Sequence, residues 1–369
     1  MSGRNPTDLR DPGSFDHAGR DHGANHFVTG QVLAELGEKD GRVVACAADL
    51  KYVTGIADFE DRFPDRTFQF GISERTMFGA AAGMAASGLR PYVATFASFA
   101  GLLAFENVRT DIAYPGLPVR ILATHAGVSM GFFGTSHHAT EDLAAMCSVA
   151  GLRVMSVSDS ESCRRIMHAT ADDAGPVYIR LSRGADQPIY PPGSLPDSYG
   201  SGVPHVVREG SDITVFATGI MVRSALDAAE ALAQDGISVH VVDVYQLKPL
   251  DSAAIAENLA RNPVAVTVEE HNLIGGLGSR IAEVAASMPY RGRMYKHGLA
   301  DEFAIIGPPT HLLEYYGLDG MGVSAVIRRA IADERSEGLS LLPLWTDQDK
   351  RAVLDAKSTK SASGTGAGS

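Results

Sequence analysis

Cysteine and tryptophan are scarce in this chain, and basic residues never cluster. Three cysteines (Cys46, Cys147, Cys163) form no CxxC pair and no zinc spacing. That excludes a disulfide framework and a cysteine-built metal centre, and an odd, sparse set suits reduced thiols in the cytoplasm. Lysine and arginine number 32 against 44 acids, for a formal net charge of -12. With no basic run, the footprint of a nucleic-acid binder is missing. No stretch of about 18 apolar residues occurs, and the polar opening MSGRNPTDLRDPGS has no apolar signal core. The chain therefore reads as soluble and cytoplasmic, with neither membrane nor nucleic acid as a partner. His17, His22 and His26 sit in an opening without periodicity, and metal binding there is not expected.

What the sequence does have is length and periodicity. Its 369 residues, 45% hydrophobic, suffice for two domains with full cores, since roughly 150 residues per domain is the usual scale. Short apolar runs alternate with helical patterns: RVVACAA (42–48), TFQFG (67–71), PYVATFAS (91–98), VRILATH (119–125), RVMSVS (153–158) and VYIRLS (177–182). The alternation predicts a three-layer α/β domain with a mostly parallel sheet over residues 23–190. A Pro-, Gly- and Ser-rich connector follows (GADQPIYPPGSLPDSYGSGVP, 184–204), and a linker is predicted over 191–208. The pattern restarts with ITVFATG, ISVHVVDV, VAVTVEE and GRMYKHG, predicting a second, smaller α/β domain over 209–342. Residues 1–22 and 343–369, the latter ending DAKSTKSASGTGAGS, are predicted to be disordered tails.

In open α/β sheets ligands bind beyond the carboxyl ends of the strands, so the segments that follow each strand carry the candidates. After the second run comes Gly71-Ile72-Ser73-Glu74, which opens ERTMFGAAAGMAA, a helical stretch almost bare of side chains. Ser73 is its candidate N-cap, and Glu74 by itself fits a first-turn partner of the helix dipole. Phe96 and Phe99 follow the third run and alone read as core. After the fourth stands His125, then AGVSMGFFGTS, then His137-His138, with Glu141 and Asp142 entering the next helix. Three histidines in one short, glycine-punctuated segment supply proton-transfer capacity near neutral pH. Ser182-Arg183 ends the sixth run, where it can meet an anion.

Taken in order, these segments resemble the pyrimidine-binding half of transketolases. The likeness is carried by ADL within 47–50, GISERTMFGAAAGMA (71–85), TFASF (95–99), the His125-to-His137 loop followed by HATEDLA, and YIRLSR (178–183). EEHNLIGGLGSRIAE (269–283) and YYGLDGMG (315–322) resemble the transketolase C-terminal domain. The resemblance implies thiamine diphosphate as cofactor, with Glu74 at the position of the glutamate that hydrogen-bonds its aminopyrimidine ring. It implies Phe96 and Phe99 as the pyrimidine wall, Phe99 stacking, and Asp49 and Leu50 as further cofactor contacts. His125 and His137 match histidines that act in catalysis and hold the donor's oxygens, with His138 beside them in the substrate site. Arg183 matches an arginine that meets substrate phosphate. The implied reaction is ketol transfer, a two-carbon unit passing from a ketose donor to an aldehyde acceptor with the cofactor as electron sink.

One part of the family pattern is absent. Thiamine enzymes hold the diphosphate and its magnesium through Gly-Asp-Gly followed, about twenty-five to thirty residues on, by Asn, because hard oxygen ligands suit that ion. No GDG occurs here. The chain therefore resembles the small C-terminal subunit of a split transketolase, inactive alone. Thiamine diphosphate would be shared with, and Mg2+ bound by, a large N-terminal subunit carrying GDG, in an α2β2 assembly. The bare helix predicts close packing against another chain, with Arg75 in a salt bridge there. The β subunit of a 2-oxo-acid dehydrogenase complex is the main alternative, and SHHATEDLA with the histidine spacing favours transketolase. A non-catalytic structural subunit is the other, and the presence of Glu74, His125 and His137 weighs against it.

Where the family often has an acidic pair, an arginine, a serine and an arginine, this chain has Phe132-Phe133, His26, Val53 and Leu103. Those departures imply a substrate less polar than the usual pentose phosphates, or recognition of its polar groups by the partner chain. GGLG (275–278) superficially suggests a dinucleotide fingerprint, but Ile281 stands where the last glycine of G-x-G-x-x-G belongs.

Overall fold

Short apolar runs covered on both faces by helices form parallel strands, and the first half of the chain is built this way. The computed structural model describes residues 25–183, 187–333, 338–340 and 343–364, so the tail predicted over 1–22 lies outside the described residues. In chain order the strands are β1 (Val43–Ala47), β2 (Thr67–Gln69), β3 (Arg90–Phe96), β4 (Arg120–Thr124), β5 (Arg153–Ser156), β6 (Val177–Arg180), β7 (His205–Arg208), β8 (Ile213–Ala217), β9 (Val239–Asp243), β10 (Gln246–Lys248), β11 (Val264–Asn272), β12 (Arg293–Leu299) and β13 (Gly338–Ser340). They form two sheets, ordered β10–β5–β6–β4–β3–β1–β2 and β13–β12–β11–β8–β9–β7. Neighbours are parallel except β10 against β5 and β7 against β9. β1, β4 and β6 are buried at every residue. The α/β class with mostly parallel sheets is the one that the alternation predicts.

The second unit is less separate than its restart in the sequence suggests. β10 crosses over to pair with β5, Gln246 opposite Met155 and Lys248 opposite Val154. One apolar cluster then runs through both halves, joining Val93, Ile121 and Val154 to Leu247, Ile255 and Leu277. Within the predicted linker, Leu195 and Tyr199 are buried and β7 begins at His205. Residues 343–369, predicted as a disordered tail, instead carry a helix, Asp347–Gly364. Tertiary contacts override its polar composition: Asp349 accepts from both Arg329 nitrogens at 2.6 and 2.8 Å, buried Lys350 pairs with Glu302, and Trp345 Nε1 donates to Tyr315 O at 2.9 Å.

The bare stretch is the helix Glu74–Ala86, entered from β2 through a tight turn at Gly71. It buries Met77, Phe78, Ala81, Ala82 and Ala85 and leaves Arg75, Thr76 and Gly83 exposed. Ser73 flanks it without capping it: its hydroxyl donates to Thr76 Oγ1 at 2.7 Å and accepts from no backbone amide.

Candidate active site

Parallel pairing puts the carboxyl ends of β1, β2, β3, β4 and β6 on one edge of the first sheet, and the expected site residues leave that edge in turn. Asp49 and Leu50 follow β1, Asp49 exposed and its amide 3.3 Å from Gln69 Oε1. Glu74 opens its helix with 4% of its surface exposed. Among the described residues, no hydrogen bond or ion pair reaches its carboxylate. The little surface that Glu74 keeps includes its carboxylate oxygens, which are therefore open to a partner from outside the chain.

Phe96 ends β3 and Phe99 opens the π-helical turn Phe99–Leu103. Their ring centroids are 5.5 Å apart, and two imidazoles close on them. His125 lies 4.4 Å from Phe96, and His137 lies 6.0 Å from Phe96 and 5.3 Å from Phe99. Phe133 covers the outer side of His137 at 5.1 Å while remaining 50% exposed. Five residues from three separate segments thus form one aromatic and imidazole cluster.

Hydroxyls hold both rings. His125 Nδ1 lies 2.9 Å from Thr124 Oγ1, whose hydroxyl also reaches Thr95 O at 3.3 Å. His137 Nδ1 lies 2.9 Å from Ser136 Oγ, whose hydroxyl also reaches Phe133 O at 3.4 Å. Burial lowers the His137 pKa, which favours the neutral ring. His138 turns inward, where Nε2 donates to Gly131 O at 3.1 Å and Nδ1 has no partner among the described residues. That placement suits holding the loop better than touching a substrate. Arg183 is half-buried just beyond β6, and burial lowers its pKa.

The loop's support comes from the other half of the chain, which motif spacing did not reveal. Glu270, buried in β11, accepts from Val128 N at 2.9 Å, inside the His125-to-His137 loop. Arg180 donates to Asp142 at 2.9 Å, to Ala139 O at 3.1 Å and to Glu270 O at 3.0 Å, while Tyr178 donates to the same Asp142 at 2.8 Å. The available signal was a run of four polar residues, Glu269-Glu270-His271-Asn272, ending a mostly apolar strand. Glu269 accepts from the amides of Leu277 and Gly278 at 2.6 and 2.8 Å. The helix start that a dinucleotide would need is thereby occupied from within. No group of three potential His, Cys, Asp or Glu metal ligands converges among the described residues, and no described helix is long and apolar enough to cross a membrane.

Comparison with known proteins gives this edge its family. The model for "Transketolase, pyrimidine binding domain" matches residues 24–187, and that for "Transketolase, C-terminal domain" matches 202–323. A protein of Methanocaldococcus jannaschii described as "Putative transketolase C-terminal section" is 37% identical over 305 residues, 83% of this chain and 95% of that one. A 6-deoxy-6-sulfo-D-fructose transketolase subunit from Clostridium sp. is 36% identical over 290 residues, 78% of this chain and 88% of its own. Among solved structures, a split-gene transketolase described as an inactive beta4 tetramer superposes with a TM-score of 0.77 at 39% identity, over 85% of this chain and 99% of that chain. The chain belongs to the transketolase family, whose members depend on thiamine diphosphate. The edge fits such a cofactor: Glu74, with no internal partner among the described residues, and a wall of two phenylalanines lie on the same sheet edge.

Proposed function

We propose that this chain is the pyrimidine-binding component of a two-chain ketol transferase, active only with a partner that carries the Gly-Asp-Gly diphosphate and Mg2+ site. The observation that carries the reading is the unpartnered carboxylate of buried Glu74 on the same sheet edge as the Phe96, Phe99, His125 and His137 cluster. Bound there, thiamine diphosphate supplies the electron sink for breaking a carbon–carbon bond beside a ketose carbonyl. Glu74 holds the proton shared with the pyrimidine ring nitrogen, a role suited to a carboxylate with no partner of its own among the described residues. Phe96 and Phe99 wall the ring, and Asp49 and Leu50 border it. His125 and His137 hold the donor's hydroxyl and carbonyl oxygens with their imidazoles, fixing its reacting carbons. Arg183 meets an anionic group at the far end of the substrate.

The partner's place is supported by the exposed stripe Arg75, Thr76 and Gly83 on the Glu74–Ala86 helix, where a Cβ at Gly83 would meet nothing within 4 Å. A second copy of each chain completes the α2β2 assembly. The three buried free cysteines support a cytoplasmic setting. Phe132 and Phe133, 58% and 50% exposed, give the mouth an apolar rim, which favours a donor or acceptor less polar than a pentose phosphate.

The test is reconstitution with a GDG-carrying partner, comparing ketose donors with 2-oxo acids. Transfer of a two-carbon unit from a ketose to an aldehyde supports the reading. Acylation of a lipoyl domain from a 2-oxo acid selects the dehydrogenase alternative, and no thiamine-dependent turnover with any donor leaves a structural subunit.

A further inference from the structure

The histidine loop begins and ends on the first domain, yet much of what holds it comes from the second. At its base, Gly127 and Ala139 exchange backbone hydrogen bonds of 3.0 and 2.9 Å, closing the loop into a hairpin-like ring. Inside that ring the Val128 amide donates to Glu270 Oε1 at 2.9 Å, a contact between residues 142 positions apart in sequence. Gly127 has φ of +62°, and a Cβ there would lie 2.1 Å from Glu270 Cδ, so backbone and carboxylate are in close approach. At the tip, a Cβ on Gly131 would lie 2.6 Å from Gly307 O of the second domain.

Glu270 is itself fixed from both sides. Arg180 donates to its carbonyl at 3.0 Å, and two residues on, Asn272 N donates to Thr140 O at 2.8 Å. His271, between them, accepts from Ala144 N at 3.3 Å. The cavity beside this junction, lined by Ala126, Arg180, Ser182 and Glu270 among others, has a volume of ≈ 10 Å³. That is about the space of one water, so the loop has little room to resettle.

We propose that Glu270 is a positioning residue: through Val128 it sets the backbone of the loop that aims His125 and His137, so the second domain tunes the imidazole pair from outside the cluster. The consequence for turnover rests on the ketol-transfer reading, whereas the loop geometry does not. Carboxylate-to-amide exchange bears on it directly, because the Gln side chain keeps an oxygen acceptor at the same reach and Ala has none.

The test uses the full chain without cofactor or substrate, so its outcome is independent of the proposed reaction. Amide hydrogen exchange is followed by mass spectrometry over peptides spanning 126–138, with β4 and β8 as internal controls. Ring signals of labelled histidines are assigned through His125→Gln and His137→Gln. Glu270→Ala is expected to speed loop exchange at least tenfold and to move both ring signals while the controls keep their protection; Glu270→Gln is expected to stay within threefold of the parent. If Glu270→Ala fails to fold, Gly127→Ala takes its place and is expected to loosen peptides 126–138 and 264–272 together. Unchanged loop exchange in Glu270→Ala, Glu270→Gln matching Glu270→Ala, or Gly127→Ala leaving 264–272 unmoved would each overturn the proposal.

Discussion

The ring of Phe96 lies 4.4 Å from the imidazole of His125, although the two end neighbouring strands and are separated by a helical excursion. Parallel pairing of β3 with β4, Phe96 opposite Thr124, makes this contact, because it brings the two strand ends level at the carboxyl edge. The cluster is thus a product of sheet register, and side chains that reach over it from the loop are the ones free to vary its chemistry.

Phe133 is such a side chain, 5.1 Å from His137 and half exposed. Aromatic pairs of this kind are worth about 0.5–1.5 kcal/mol. Phe133→Asp is expected to lower kcat/KM for apolar aldehydes roughly two- to tenfold by that measure, and to shift preference toward polyhydroxylated acceptors. A panel of aldehydes assayed with the reconstituted pair checks it; an unchanged ranking removes Phe133 from the acceptor site.

Arg180 and Asp142 form a buried pair 2.9 Å apart, at 5% and 0% side-chain exposure. Removing one partner of such a pair leaves an uncompensated charge and costs about 3–5 kcal/mol. Arg180→Ala is expected to lose that much in urea unfolding, and a loss under about 1 kcal/mol would place the pair in wetter surroundings than those described.

Gly83 sits mid-helix with open space around its missing side chain. Gly83→Leu is expected to leave the isolated chain as stable or slightly more so, since glycine costs a helix interior about 1 kcal/mol. It is expected to prevent association with the partner component. Sedimentation of the mixed chains reads this, and intact assembly by the variant would move the interface to another face.

His297 is fully buried, Nε2 donates to Gly317 O at 2.7 Å, and burial takes its pKa down to about 4. The unfolded chain binds that proton first as pH falls below about 6.5, so this group removes stability progressively between about pH 6.5 and 4, by roughly 3 kcal/mol at the acid end. Asp243 works in the opposite sense: burial raises its pKa to about 7, so it adds stability at low pH and loses it as pH rises through 7. The difference between parent and His297→Gln isolates the first term. That difference should change in the variant's favour as pH falls from 6.5 to 4, and a pH-independent difference contradicts the assignment.

What was legible in the sequence was what is local. Apolar runs marked β1 to β6, and residues after strand ends picked out Glu74, Phe96, Phe99, His125 and His137, which the structure brings to one sheet edge. Contacts that depend on distant partners were not legible. β10 is three residues long and has no periodicity of its own; it exists because β5 offers an edge. The Asp347–Gly364 helix owes its docking to Arg329, Glu302 and Tyr315, and Glu270 reaches Val128 only once two domains have folded together. Ser73 flanks its helix without capping it: its hydroxyl donates to Thr76 Oγ1 and accepts from no backbone amide.

The central claim is that Glu74 shares a proton with bound thiamine diphosphate, and its most direct test is proton–deuterium exchange at the cofactor's C2 in the reconstituted complex. Glu74→Gln is expected to bind cofactor and assemble normally while slowing that exchange by at least about 100-fold, the lower range of acid–base contributions. Exchange at the parent rate in a fully assembled Glu74→Gln complex would contradict the account.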